Sequence, residues 1–200
     1  MKMKLSRFIF LLVIIIQNAV FAGEPPANKA VGVFLATGVG ARLPVGQFSN
    51  SSNLGYGLLI EVSYTDSDNL PFFIFSRIGF EQFPGSQDFY ETSDYSNYST
   101  TILPISIGAR YYFAPLVESA VLLIPIVEAS ASYSYFKILN QFKSDNGKTN
   151  YTESLWKIGG NVGVGLSMFI LELMANYNYY ESNQYFSFNL NVRIPLFVNF

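Results

Sequence analysis

From Phe186 to Phe200 the sequence reads FSFNLNVRIPLFVNF, with an apolar residue at every second position and mostly Ser, Asn and Arg between them. Successive side chains of a strand point to opposite faces, so this spacing requires an extended strand with two unlike faces. The pattern recurs along the chain and predicts eight strands, over 30–43, 55–65, 71–83, 100–113, 121–137, 154–168, 170–180 and 185–200. What has to be decided is which solvent each face meets.

One lane is aliphatic. It reads Val31, Val33, Leu35 and Val39, then Leu58, Ile60 and Val62, and continues in every later strand to Leu190, Val192 and Ile194, with Thr37 and Ser76 as its main interruptions. The other lane is small, polar or charged, and carries Arg42, Glu61, Arg77, Glu81, Arg110, Glu128, Lys157, Glu172 and Arg193. Phe34, Phe73, Phe75, Leu122 and Ile124 fall on this polar lane by parity and blemish it.

The connections alternate in length, with only the last hairpin, near Glu181 to Gln184, shorter than its long class. The segments 44–54, 84–99 and 138–153 are long and polar, whereas 66–70, 114–120 and the turn near Phe169 are short. In an up-and-down barrel this puts long loops at one rim and short turns at the other. Aromatic residues of the apolar lane follow the same division. Tyr64, Phe72, Tyr111, Phe113 and Phe200 gather at the short-turn rim, and Phe80, Tyr133, Tyr135, Trp156, Tyr177 and Tyr179 at the long-loop rim. Two aromatic girdles around an aliphatic band are what a bilayer with two interfaces selects. The expected fold is therefore all-β, an eight-stranded antiparallel up-and-down transmembrane β-barrel, with the apolar lane in lipid. A secreted soluble barrel, with that lane inside, is the competing arrangement.

In lipid no backbone group can stay unpaired, so the first strand must close on the eighth. Eight strands enclose just enough space for side chains, which makes the lumen a polar core filled by the nine charges. A last hairpin turning between Ser182 and Asn183 sets Glu172 directly opposite Arg193, and a turn near Asp68 sets Glu61 diagonal to Arg77. Mutually satisfied charges make a structural plug; a narrow path for small solutes gated by the same pairs is the sharper alternative. Pro195 has no N–H for either neighbour, so a local bulge or an unpaired site is expected there.

The leader is separate from the fold. Lys2, Lys4 and Arg7 precede the apolar run from Phe8 to Ile16, and Val20-Phe21-Ala22 supplies small residues for cleavage, which reads as a secretory signal peptide over 1–22 before a barrel domain over 23–200. Three of the 12 basic residues lie in that leader, so nine remain against 14 acidic residues. This acidic balance gives no general attraction for nucleic acid. With no Cys, export brings no disulfide framework.

The signal peptide, the eight alternating strands and the terminal aromatic resemble the small eight-stranded outer-membrane β-barrel proteins of Gram-negative-type bacteria, the OmpA-transmembrane-domain-like, OmpX-like and OmpW-like group. The resemblance implies a bacterial outer-membrane location. It also implies that Leu196, Val198 and Phe200 form a C-terminal signal read by the barrel-assembly machinery, and it allows a channel for hydrophobic solutes of OmpW-like kind.

Catalysis is not expected, because the sequence has no His to act as a base and nothing places two carboxylates beside an exposed Ser. No cofactor or metal is expected either. The glycines of the run from Gly159 to Gly165 sit inside a strand with no helix after them, unlike a nucleotide-binding turn. Asn-x-Ser/Thr triplets at Asn50, Asn97 and Asn150 mark exposed loops. The loop residues Asp88, Glu91 and Asp94, interleaved with Tyr90, Tyr95 and Tyr98, are the candidates for contact with an extracellular ligand.

Overall fold

The structure is a computed structural model that describes residues 31–66, 70–116, 123–144 and 147–199. The signal peptide, Phe200, Leu122 and the expected turn centre at Asp68 lie outside the described residues. The strands are β1 (Val31–Val45), β2 (Gly55–Asp66), β3 (Leu70–Pro84), β4 (Tyr95–Tyr112), β5 (Leu123–Phe142), β6 (Tyr151–Met168), β7 (Leu171–Tyr180) and β8 (Gln184–Asn199). Each pairs antiparallel with the next, and β8 returns to β1 to close the ring. Among the described residues no helix is long and apolar enough to cross a membrane.

Paired residues can be followed around the ring from Val33 through Tyr64, Ile74, Ala109, Ala129, Val162, Tyr177 and Phe186, returning to β1 at Leu43, ten residues further on. Strand number and this stagger together set tilt and bore, and an eight-stranded bore of this kind is filled by side chains. Burial follows the two lanes. Along β2 the order is strictly alternate, with Glu61 and Ser63 buried and Leu58, Ile60 and Val62 exposed. The aliphatic lane faces outward throughout the wall: Ile158 is 81% exposed and Ile107 65%, values no soluble core residue would show.

Two inward glycines give the lumen room for its large side chains. A Cβ at Gly57 would come within 2.5 Å of the Arg42 guanidinium, and one at Gly159 within 2.4 Å of the Tyr180 ring.

Three expectations need correction. The segments read as long loops at 84–99 and 138–153 are largely folded, because β4, β5 and β6 run on past the barrel as a three-stranded extension, with the short helix α1 (Gln87–Thr92) on it. An aromatic cluster stabilises this extension: Phe89 of α1 stacks on Tyr95 at 5.0 Å, and Tyr95 meets Phe142 at 4.7 Å. Lys143 Nζ donates to the carbonyls of Tyr90 and Ser93 at the end of α1, and Ser86 caps its start. The extension's outermost ion pair joins Lys148 Nζ to Asp94 Oδ2 at 2.6 Å, and this hydrogen bond holds the Lys148 ammonium above its ordinary pKa.

The second correction concerns register. Glu172 lies opposite Asn191, because the last hairpin pivots one residue earlier than expected, with Ser182 at φ 62°. Glu61 lies directly opposite Arg77, because β2 and β3 slip by a local irregularity between Tyr64 and Asp66. The third concerns β8. The bulge expected at Pro195 is present: Phe34 pairs with Pro195 and Val33 with Phe197, leaving Leu196 without a ladder partner. Alternation is thereby broken, and Val198 comes opposite inward-facing Gly32 instead of continuing the outward lane of Leu196.

Candidate functional site

The lumen is built in layers from the short-turn rim upward. At that rim the rings of Phe34, Phe73 and Tyr112 meet at 5.6 and 4.8 Å. Phe75 lies further in, with the Arg77 and Arg110 guanidinium carbons 4.7 and 5.1 Å from its ring centre, within cation–π range. The aromatics that blemished the polar lane thus form the lumen's lower seal.

The next layer holds Glu61, Arg77, Arg110, Glu128, Glu172 and Arg193, which come from β2, β3, β4, β5, β7 and β8. Arg110 is fully buried and spans the group: Nε and Nη2 donate to Glu128 Oε2 at 2.9 and 2.5 Å, and Nη1 and Nη2 to the two Glu61 oxygens at 2.9 and 3.0 Å. Arg77 bridges Glu61 at 2.7 Å and Glu128 at 3.0 Å. Arg193 bridges Glu172 and Glu61, each at 2.7 Å. Tyr112 donates to Glu172 Oε1 at 2.6 Å, Asn176 donates to Glu128, and Arg193 Nη1 donates to Ser63. Each carboxylate therefore accepts from at least two guanidinium groups. Planar, multiply donating Arg side chains suit such a lattice where Lys would not.

Above it lies a separate pair. Arg42 Nε donates to Glu81 Oε1 at 2.7 Å and Nη1 to Asn189 Oδ1 at 2.8 Å. Between the two charged layers runs a belt of amides and hydroxyls, including Asn161 to Ser130 at 2.7 Å and Asn178 to Ser187 at 3.0 Å. Across both layers, Arg42, Arg77, Arg110 and Arg193 balance Glu61, Glu81, Glu128 and Glu172. Buried charges require this, since each unpaired one would carry a large desolvation cost.

The top layer is apolar. Phe48, Phe83, Ile102, Phe136, Tyr180 and Tyr185 form one buried cluster, with Phe48 against Phe83 at 4.8 Å and Phe83 against Tyr185 at 5.1 Å. Phe48 comes from the 3-10 turn Gly46–Asn50 in the first long connection, and the other members from the wall.

Eight of the nine sequence-predicted charges thus lie in the buried layers, and Lys157 does not. Its Nζ sits at the long-loop rim, donating to Asn183 Oδ1 at 2.5 Å and to the Glu181 carbonyl at 2.8 Å, over the Phe136 ring at 5.2 Å. It fastens the last hairpin and takes no part in the charge lattice. Sequence reasoning missed the upper aromatic cluster altogether. Phe83, Ile102, Phe136, Tyr180 and Tyr185 do follow the polar lane's parity, and that was the available sign.

Chemically, both ends of the lumen are closed by rings and its charges are mutually neutralised. The arrangement can hold the wall rigid. Among the described residues no group of His, Cys, Asp and Glu is arranged to hold a metal ion.

No protein-family model and no curated protein sequence matches the chain. Solved structures similar to it include Neisserial surface protein A, at 12% identity and TM-score 0.46 over 84% of this chain and 99% of that one. Another is the N-terminal β-barrel domain of Pseudomonas aeruginosa OprF, at 13% identity and TM-score 0.43 over 82% and 99%. A third is Ail, the attachment invasion locus protein of Yersinia pestis, in complex with the heparin analogue sucrose octasulfate, at 12% identity and TM-score 0.40 over 84% and 99%. On its own register and closure, this chain is an eight-stranded antiparallel up-and-down β-barrel with an apolar outer wall and a filled polar lumen.

Proposed function

We propose that the chain is a non-catalytic integral barrel of the bacterial outer membrane, with a structural plug as its lumen and the extension of β4, β5 and β6 as the surface it presents outside the cell. The inversion of polarity carries this reading. A closed ring with aliphatic side chains outside and a neutral lattice of buried ion pairs inside suits lipid around it and not water. A secreted soluble barrel would leave that whole outer wall in contact with water.

The aromatic girdles support the same placement. Tyr133 and Trp156 stack at 4.6 Å on the outer wall at the long-loop rim, and Tyr111 meets Phe113 at 4.9 Å at the other. The leader over 1–22 fits export across the inner membrane. The barrel-assembly machinery is the partner we assign to the C-terminal strand through Leu196, Val198 and Phe200. That signal belongs to the strand before closure, so the bulge after Pro195 does not remove it. Asp88, Glu91 and Asp94 lie on or next to α1, where an extracellular ligand would meet them.

The test has two parts. Membrane-fractionated protein should require detergent for release and should migrate faster unboiled than boiled on gels; release by salt or alkali alone would refute the membrane reading. The refolded barrel in planar bilayers should then be electrically silent. Steady unitary currents that change with Arg77→Gln would replace the plug by a narrow channel.

A further inference from the structure

Pro104 occupies the middle of β4, a strand with neighbours on both sides. Its pairing with Ser134 of β5 is intact. On the β3 side the ladder runs as far as Ile78 opposite Ile105 and resumes at Glu81 opposite Ile102, with a gap where Gly79 and Phe80 face Pro104 and Leu103. In an antiparallel pair the N–H and C=O of one residue point to the same neighbour. Since Pro104 keeps its pairing to β5 without an N–H, the missing donor is missed by β3, and the Gly79 carbonyl loses its ladder partner. An unpaired carbonyl within a wall surrounded by lipid is a liability that closed barrels avoid.

Behind this gap the lumen holds a cavity of about 30 Å³, lined among others by Gly79, Pro104, Glu81, Asn161 and Arg42. Two further acceptors on its lining have no hydrogen-bond partner in the protein, Glu81 Oε2 and Asn161 Oδ1, and both residues are more than nine-tenths buried. Both of these side-chain atoms are acceptors, so an occupant that donates hydrogen bonds would satisfy them. The Arg42 and Arg77 side chains on the same lining disfavour a cation. A buried water needs roughly 10–15 Å³ and two to four polar partners, which the chamber supplies.

We propose that this chamber is a binding site for resident water, one or two molecules, which donate to Glu81 Oε2, Asn161 Oδ1 and the Gly79 carbonyl and so replace the N–H that Pro104 lacks. The upper aromatic cluster and the lower charge lattice seal the site from either end, so its water exchanges slowly with bulk. The site explains how a proline persists in a doubly paired strand without a bulge, where Pro195 required one.

Water-to-protein NOE measurements on the isotope-labelled barrel, refolded in detergent micelles, test this directly. Persistent cross-peaks from water to the Gly79 amide and the Asn161 side-chain amide are expected, of the sign given by long-lived water. Their absence, with cross-peaks still seen at the loops, would overturn the proposal. Pro104→Ala is the second arm. Its new amide should bond Gly79, exchange with solvent at least tenfold more slowly than loop amides, and weaken the Gly79 water cross-peak. Fast exchange at that amide with the Gly79 cross-peak unchanged would refute the substitution of water for N–H. Xenon entering the chamber would show it to be dry, and shifts of the Asn161 amide on sodium titration would show a cation; either result ends the water assignment.

Discussion

The two halves of the lumen exclude solvent by opposite means. Toward the short turns, six charged side chains from six strands neutralise one another over Phe75. Toward the long loops, rings and one isoleucine close the mouth with hardly a charge among them. The lower half is directional: each guanidinium has a fixed fork of donors, and a slip of one strand would leave charges unpaired. The upper half is not directional, and one of its members is lent by a loop. Specificity of register therefore resides below and closure of the mouth above. Substitutions in the two halves should fail in different ways.

The largest effect is expected for Arg110→Ala, which removes the group shared by Glu61, Glu128 and Glu172. Breaking a buried pair by deleting one partner costs about 3–5 kcal/mol, because the remaining charges stay buried. Urea unfolding of the refolded barrel, followed by tryptophan fluorescence and gel mobility, should show a loss in that range. A loss below about 1 kcal/mol would mean that water enters the lower half freely.

Phe48→Ala should cost somewhat less, about 3 kcal/mol, near the low end for a buried Phe, because the 3-10 turn can settle into part of the space. Its distinguishing feature is that the charge lattice stays intact below, so the variant should remain silent in planar bilayers. Conductance from Phe48→Ala alone would show that the upper cluster, and not the lattice, is the effective seal.

How much of this was legible in the sequence differs between the halves in the same way. Parity assigned Glu61, Arg77, Arg110, Glu128, Glu172 and Arg193 to one face, since period two is a property of the strand itself. It could not tell which of them meet, because opposition depends on how each turn counts its residues. A hairpin pivoting one residue early and an irregularity after Tyr64 moved both predicted pairs by one diagonal. Long side chains absorbed the error, which is why Glu172 and Arg193 still meet at 2.7 Å. The upper cluster was hidden for another reason. Phe83, Phe136 and Tyr185 obey the polar lane's parity at its end, where a lone aromatic looks like a girdle residue, and Phe48 has no strand pattern at all. The extension was equally hidden, because the polar composition of 84–99 and 138–153 outweighed the scattered aromatics that fold it.

The pair of Arg42 and Glu81 stands between the halves and allows the comparison to be turned around. Replacing a buried ion pair by apolar residues of similar volume is often neutral or stabilising. The double variant Arg42→Met with Glu81→Leu should therefore unfold within about 1 kcal/mol of the parent or at higher urea, whereas either single variant should be clearly weaker. A double variant as damaged as the singles would show that this pair, too, specifies register.

Lys157 offers the smallest and most discriminating case, since parity groups it with the lattice and geometry does not. Lys157→Met keeps a stem of similar length and removes the ammonium, with its bonds to Asn183 and the Glu181 carbonyl and its contact over the Phe136 ring. Hydrogen bonds from a partly exposed charge at a rim contribute little once screening and side-chain entropy are counted, so a loss of about 1 kcal/mol or less is expected. The loss should be local: amide exchange in the hairpin between Tyr180 and Gln184 should quicken, while exchange at Glu61, Arg110 and Glu172 stays as slow as in the parent. If the lattice amides loosened together with the hairpin, Lys157 would belong to the lattice after all. The lumen would then be one electrostatic unit from rim to rim, and the contrast between its halves would not hold.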